Sequence, residues 1–145
     1  MWDKIKPEYG SQIRVNRGLY YHHGIYEDDE HVYQFAAPTG SEVSPENALI
    51  ICTTLDVFLK GGELEVRVYS DDELKNKRSP IEIVSYAKSK LGSGLGTYDL
   101  INNNCEHFSN MCAFGVSKSN QVDDIMNLFR GLFQWDVVLM LVVQQ

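Results

Sequence analysis

The sequence predicts an α+β domain: an antiparallel sheet built from the early part of the chain, packed against helices that follow. Two observations carry this reading. Up to about residue 69 the apolar residues fall in short runs rich in Val, Ile, Tyr and Phe, separated by turn residues; from Ser79 onward they recur at helical spacing. A third bounds it, since 145 residues suffice for one domain with a single core.

The strand runs are Gln12–Arg17, Tyr20–Glu27, His31–Ala36, Ala48–Thr53 and Glu63–Tyr69. Asp28-Asp29, Pro38-Thr39-Gly40 and Gly61-Gly62 supply the turns between them. The last run is the cleanest, because Leu64, Val66 and Val68 alternate with Glu65, Arg67 and Tyr69. Ser79-Pro80-Ile81-Glu82 is a capping box with proline at the first helical position. A helix follows to about Leu91, with Val84, Ala87 and Leu91 on one face, and Gly92-Ser93-Gly94-Leu95-Gly96 ends it. A second helix begins near Asn103–Cys105 and runs to about Phe114, with Gly115 as its C-cap. A third amphipathic stretch covers Val122–Phe133, and residues 134–145 form an apolar tail.

Composition narrows the function. The net charge of −7 disfavours sequence-independent nucleic-acid binding and simple electrostatic docking on anionic membranes. Three cysteines, Cys52, Cys105 and Cys112, are too few for a disulfide scaffold and suit a reducing, cytoplasmic setting. The N-terminus runs straight into polar sequence and carries no secretory pattern. The longest apolar run, Val137–Val143, is about one third of the roughly 20 residues a spanning helix needs. It is a candidate for peripheral membrane or subunit contact. No cofactor motif is present in this reading.

Asn102-Asn103-Asn104-Cys105-Glu106-His107-Phe108 is the most informative segment. Asparagines make good N-caps, which places Cys105 in the first helical turn. There the helix dipole favours a thiolate, and unpaired N–H groups are available to an oxyanion. A lone cysteine is more often a small core residue, and Cys112 and Cys52 are expected to be buried and inert. His107 points elsewhere on the helix, so a base must come from another segment. Cys105, His107, Cys112 and His22 do not match the paired spacings of structural zinc sites. Tyr20-Tyr21-His22-His23-Gly24-Ile25-Tyr26 offers two histidines on opposite faces of a strand. If the hairpin to His31–Ala36 has an odd-numbered loop centred on Asp28, His22 lies opposite Gln34, which then orients its imidazole. An even-numbered loop gives His23 that place, and periodicity favours neither. The tyrosines of these strands (Tyr20, Tyr21, Tyr26, Tyr33) suit sheet packing better than an acyl groove.

Asn104-Cys105-Glu106-His107-Phe108, followed by Phe114-Gly115-Val116 and Ser119-Asn120-Gln121-Val122, resembles the lecithin:retinol acyltransferase-like family. His22-His23-Gly24-Ile25-Tyr26 resembles its His-x-Gly-Ile-Tyr strand, and the likeness spans roughly residues 10–130 of what reads as one domain, 1–145. It implies a circularly permuted, NlpC-type papain-like fold in which histidine precedes cysteine. It implies Cys105 as nucleophile, His22 as general base and acid, and Gln34 at the position of a third residue that in the family is usually histidine. Glutamine can orient an imidazole but cannot carry charge. The implied activity is acyl transfer from phospholipid, or phospholipase A-type hydrolysis, through a thioester on Cys105, with a lipid acyl donor as substrate. Two alternatives are a peptidase or amidase acting on peptide or isopeptide bonds, and a non-catalytic interaction domain that keeps the fold.

Overall fold

A computed structural model describes residues 1–37, 48–94 and 105–115. Six strands form one antiparallel sheet: β1 (Trp2–Asp3), β2 (Gln12–Asn16), β3 (Tyr21–Asp28), β4 (His31–Ala36), β5 (Leu49–Thr53) and β6 (Leu64–Arg67), in the order β1-β6-β2-β3-β4-β5. The helices are α1 (Leu55–Leu59), α2 (Asp71–Asn76), α3 (Pro80–Ser89) and α4 (Cys105–Phe114). The expected α+β class holds, with strands early and the longer helices late. Residues 116–145, which include the expected third helix and the apolar tail, lie outside the described residues, as do the turn at Pro38-Thr39-Gly40 and Asn102–Asn104.

The period-2 alternation divides the core in two. On one face Ile25, Tyr33, Phe35 and Ile50 pack against Ile83, Val84 and Ala87 of α3 and Phe108, Cys112 and Ala113 of α4. On the other, Ile13, Val15, Tyr26, Val32 and Val66 pack around Phe58 of α1. Tyr26 and Tyr33 are both buried, in keeping with sheet packing.

The β3–β4 hairpin differs from the expected one in a way that matters. Asp28 pairs with His31, an even two-residue turn, but the register then shifts: Tyr26 faces Val32 and Gly24 faces Gln34. Glu27 is the extra residue of a β-bulge. The even turn alone would put His23 on the face of Gln34; the bulge restores the other parity. His22 therefore shares a face with Gln34, but as a diagonal neighbour, because Gln34 stands opposite Gly24.

Local signals set the helices. Both halves of the Ser79/Glu82 capping box form, with Pro80 opening α3. That helix ends at Ser89, short of Leu91, which is exposed and off the apolar face expected of it. The helix α4 ends on Gly115, whose φ of 76° suits only glycine without strain. Two short helices escape the periodicity reading: Thr54 caps α1, and a second capping box, Ser70/Glu73, caps α2. Gly10 permits close packing, since a Cβ there would lie 2.8 Å from Pro80 Cα at the start of α3.

Candidate active site

β3 carries both histidines into the interior, where His22 is 0% and His23 1% exposed, and the pleat sends them to opposite faces. His22 Nε2 lies 2.8 Å from Gln34 Oε1. Gln34 in turn donates from Nε2 to Thr53 Oγ1 at 2.8 Å, and the Thr53 hydroxyl donates to the Thr54 carbonyl at 3.1 Å. The Phe58 ring lies against the His22 imidazole, with centroids 5.2 Å apart and planes 31° apart. Gly24 makes room for that ring: a Cβ there would meet Phe58 Cε2 at 2.8 Å and the Tyr33 carbonyl at 3.0 Å. The glycine two residues after the histidine thus has a packing reason.

Cys105 is the first residue of α4 and 1% exposed. Its Sγ donates to the Tyr21 carbonyl at 3.6 Å. That oxygen belongs to the peptide immediately preceding His22, so the thiol meets β3 at the backbone of its histidine end. The first N–H groups of an α-helix lack intrahelical acceptors, which makes this terminus a source of donors for a developing oxyanion.

On the face of α4, a polar layer anchors the helix to the sheet. Gln12, 1% exposed, donates from Nε2 to Ser109 Oγ (2.8 Å) and Asn110 Oδ1 (3.0 Å). Its Oε1 accepts from Tyr69 Oη (2.8 Å) and Arg67 Nη1 (3.2 Å), and Arg67 also bonds Asn110 (2.8 Å) and Glu73. The capping bond from the Ser70 N–H, reinforced by the Arg67 guanidinium, holds the Glu73 carboxyl down at about 2. His23 lies beside buried Glu106, with Nε2 to Oε2 at 3.6 Å, and under the edge of Trp2. Burial, then the charge of neighbouring His22, Arg14 and Arg67, pushes the His23 imidazole down to about 3, so it is neutral at physiological pH.

Of the residues singled out from sequence, His22 and Gln34 are brought into direct contact, and Cys105 to the adjoining backbone. His107 is half-buried on α4. Cys112 is buried as expected, and burial pushes its thiol above the ordinary range. Cys52 is a correction: it is exposed, because it lies near the end of the edge strand β5 rather than under a helix. Sequence reasoning passed over Thr53, Phe58, Gln12 and the His23–Glu106 contact. The Thr53-Thr54 pair, with Asp56 in the first turn of α1, carried a detectable helix-start signal; the other contacts depend on register.

Known proteins resemble this chain over most of its length. Residues 5–118 match the family model described as lecithin retinol acyltransferase. Human phospholipase A and acyltransferase 3 is 32% identical over 131 residues, covering 83% of this chain and 79% of the relative. Its mouse counterpart is 33% identical over 129 residues, covering 82% and 78%. Human phospholipase A and acyltransferase 2 is 32% identical over 127 residues, covering 81% and 76%. With a cysteine opening α4, a histidine in β3 and a family match across most of its length, this chain belongs to the lecithin retinol acyltransferase family.

Proposed function

We propose that the chain is a cysteine-dependent acyltransferase and phospholipase A-type hydrolase acting on phospholipid esters, with Cys105 as nucleophile, His22 as base and Gln34 orienting the base. The observation that carries the site assignment is the buried 2.8 Å contact between His22 Nε2 and Gln34 Oε1 on the strand whose Tyr21 carbonyl accepts from Cys105. The names of the relatives support the substrate class. With Nε2 held by Gln34, proton transfer falls to Nδ1, the ring nitrogen closer to the β3 backbone that Cys105 approaches.

The steps then follow. Cys105 leaves the Tyr21 carbonyl, gives its proton to His22 Nδ1 and attacks the ester carbonyl carbon. The oxyanion is stabilised by N–H groups of the first turn of α4. As the C–O bond breaks, the imidazolium returns its proton to the leaving alkoxide, releasing lysophospholipid and leaving a thioester on Cys105. Water, or an acceptor amine or alcohol, attacks the thioester while His22 takes its proton, and the thiol is regenerated.

The test is mass spectrometry of the protein quenched in acid during turnover of phosphatidylcholine vesicles. An added acyl mass on the peptide carrying Cys105, absent in Cys105→Ala, is expected. Lipid hydrolysis by Cys105→Ala at the wild-type rate would overturn the assignment.

A further inference from the structure

We propose that Thr53 is a positioning residue that selects the tautomer of His22 by fixing which end of the Gln34 amide faces the imidazole. The inference rests on His22 serving as the base for Cys105, and deepens that reading by naming what prepares the base.

The argument is one of donor and acceptor direction. A glutamine amide presents either its oxygen or its NH2 to a neighbour, and which one it presents decides the neighbour's protonation. Were the Gln34 NH2 turned to His22, Nε2 would have to accept, and the proton of the neutral ring would sit on Nδ1. That is the nitrogen needed to accept the thiol proton, so this tautomer is unproductive. The side chain of Thr53 decides between the two. Its hydroxyl has a single proton, donated to the Thr54 carbonyl at 3.1 Å, so towards Gln34 it offers lone pairs. At 2.8 Å those lone pairs call for the amide NH2, which leaves Oε1 facing His22 Nε2 at 2.8 Å. An oxygen there accepts only from N–H, so Nε2 carries the proton and Nδ1 is the basic nitrogen.

The register brings these groups together. Gln34 pairs with Ile51 and Val32 with Thr53, so Thr53 stands diagonal to Gln34 on the face that carries His22. The chain then turns directly into α1, whose N-cap is Thr54 and whose Phe58 lies on the imidazole. The Thr54 carbonyl that receives the Thr53 proton also accepts from the Phe58 N–H at 3.1 Å. One short segment, Thr53–Phe58, therefore sets both the ring position and its proton. The arrangement also compensates for glutamine at Gln34, whose two chemically different ends must be told apart.

Two nearly isosteric variants test this. Thr53→Val keeps the shape and removes the hydroxyl; Thr53→Ser keeps the hydroxyl. Ring 15N chemical shifts of histidine-labelled protein report the His22 tautomer without recourse to activity, with His22→Gln assigning the signal. Wild type and Thr53→Ser are expected to show a protonated Nε2, while Thr53→Val populates the Nδ1–H form. On phosphatidylcholine, kcat should fall about ten-fold in Thr53→Val with KM unchanged, and return in Thr53→Ser. A Thr53→Val protein that keeps protonated Nε2, or a Thr53→Ser protein that behaves like Thr53→Val, would overturn the proposal. Failure of the underlying base assignment shows separately, as iodoacetamide labelling of Cys105 with the same pH dependence in wild type and His22→Ala.

Discussion

The two adjacent histidines have opposite physical lives. His22 is held by a neutral amide, whereas His23 is sealed beneath Trp2 beside Glu106, with its pKa near 3. The unfolded chain binds a proton at His23 near pH 6.5 that the native state refuses until about 3. Stability is therefore complete above pH 6.5 and falls as pH drops, with a limiting slope of about 1.4 kcal/mol per pH unit. Glu73, held at about 2 against an ordinary 4.5, adds its own loss only in stronger acid. Urea unfolding at pH 7, 6 and 5 should show this decline, and His23→Gln should flatten it. Both histidines stand out in the sequence as neighbours on opposite faces. Alternation alone does not say which of them shares the face of Gln34, because the bulge residue Glu27 does not differ in kind from an ordinary strand residue.

Among elements, α1 is the least visible in sequence and among the most consequential in structure. Five residues are too few to establish a helical period, yet α1 carries Phe58 into the core and against His22. Gly24→Ala tests that packing. The new methyl would displace Phe58, with the adjacent Tyr33 carbonyl blocking retreat, at a cost of about 1–3 kcal/mol and a lowered melting temperature. In a Phe58→Leu background the same change should cost much less, giving a measurable coupling in a double-mutant cycle. The helices α3 and α4 were readable to within two residues because caps and glycine mark their ends. Helix α2 shows the same Ser-x-x-Glu signature at Ser70–Glu73, and there the signal outlasted the periodicity that would normally accompany it.

At the scale of the whole molecule, the class and strands β2 to β6 were readable because hydrophobic alternation and turns are local, whereas the two residues of β1 are too few to show a period. The order β1-β6-β2-β3-β4-β5 was not, since β6 inserts beside β2 and joins the N-terminal β1 to the far end of the chain's sheet. Nor was the polar layer of Gln12, Arg67 and Asn110, which is drawn from three separate elements. No helix among the described residues is long and apolar enough to cross a membrane. The net charge of −7 sets repulsion against approach to any lipid surface that is anionic. Initial rates on phosphatidylcholine vesicles should exceed those on vesicles rich in phosphatidylserine at low salt. The gap should close as ionic strength rises above about 0.15 M, where the screening length is about 8 Å.

The single extra residue at Glu27 acts as a phase marker for the hairpin. Counting back from the tip puts His23 on the face of Gln34, and counting through the bulge puts His22 there. With histidine at both positions, a one-residue slip in this strand would still present an imidazole to Gln34, but one carried by the wrong stretch of backbone. Composition and motif would be unchanged while a different imidazole met the amide, so the contact this strand makes resides in its spacing as much as in its residues.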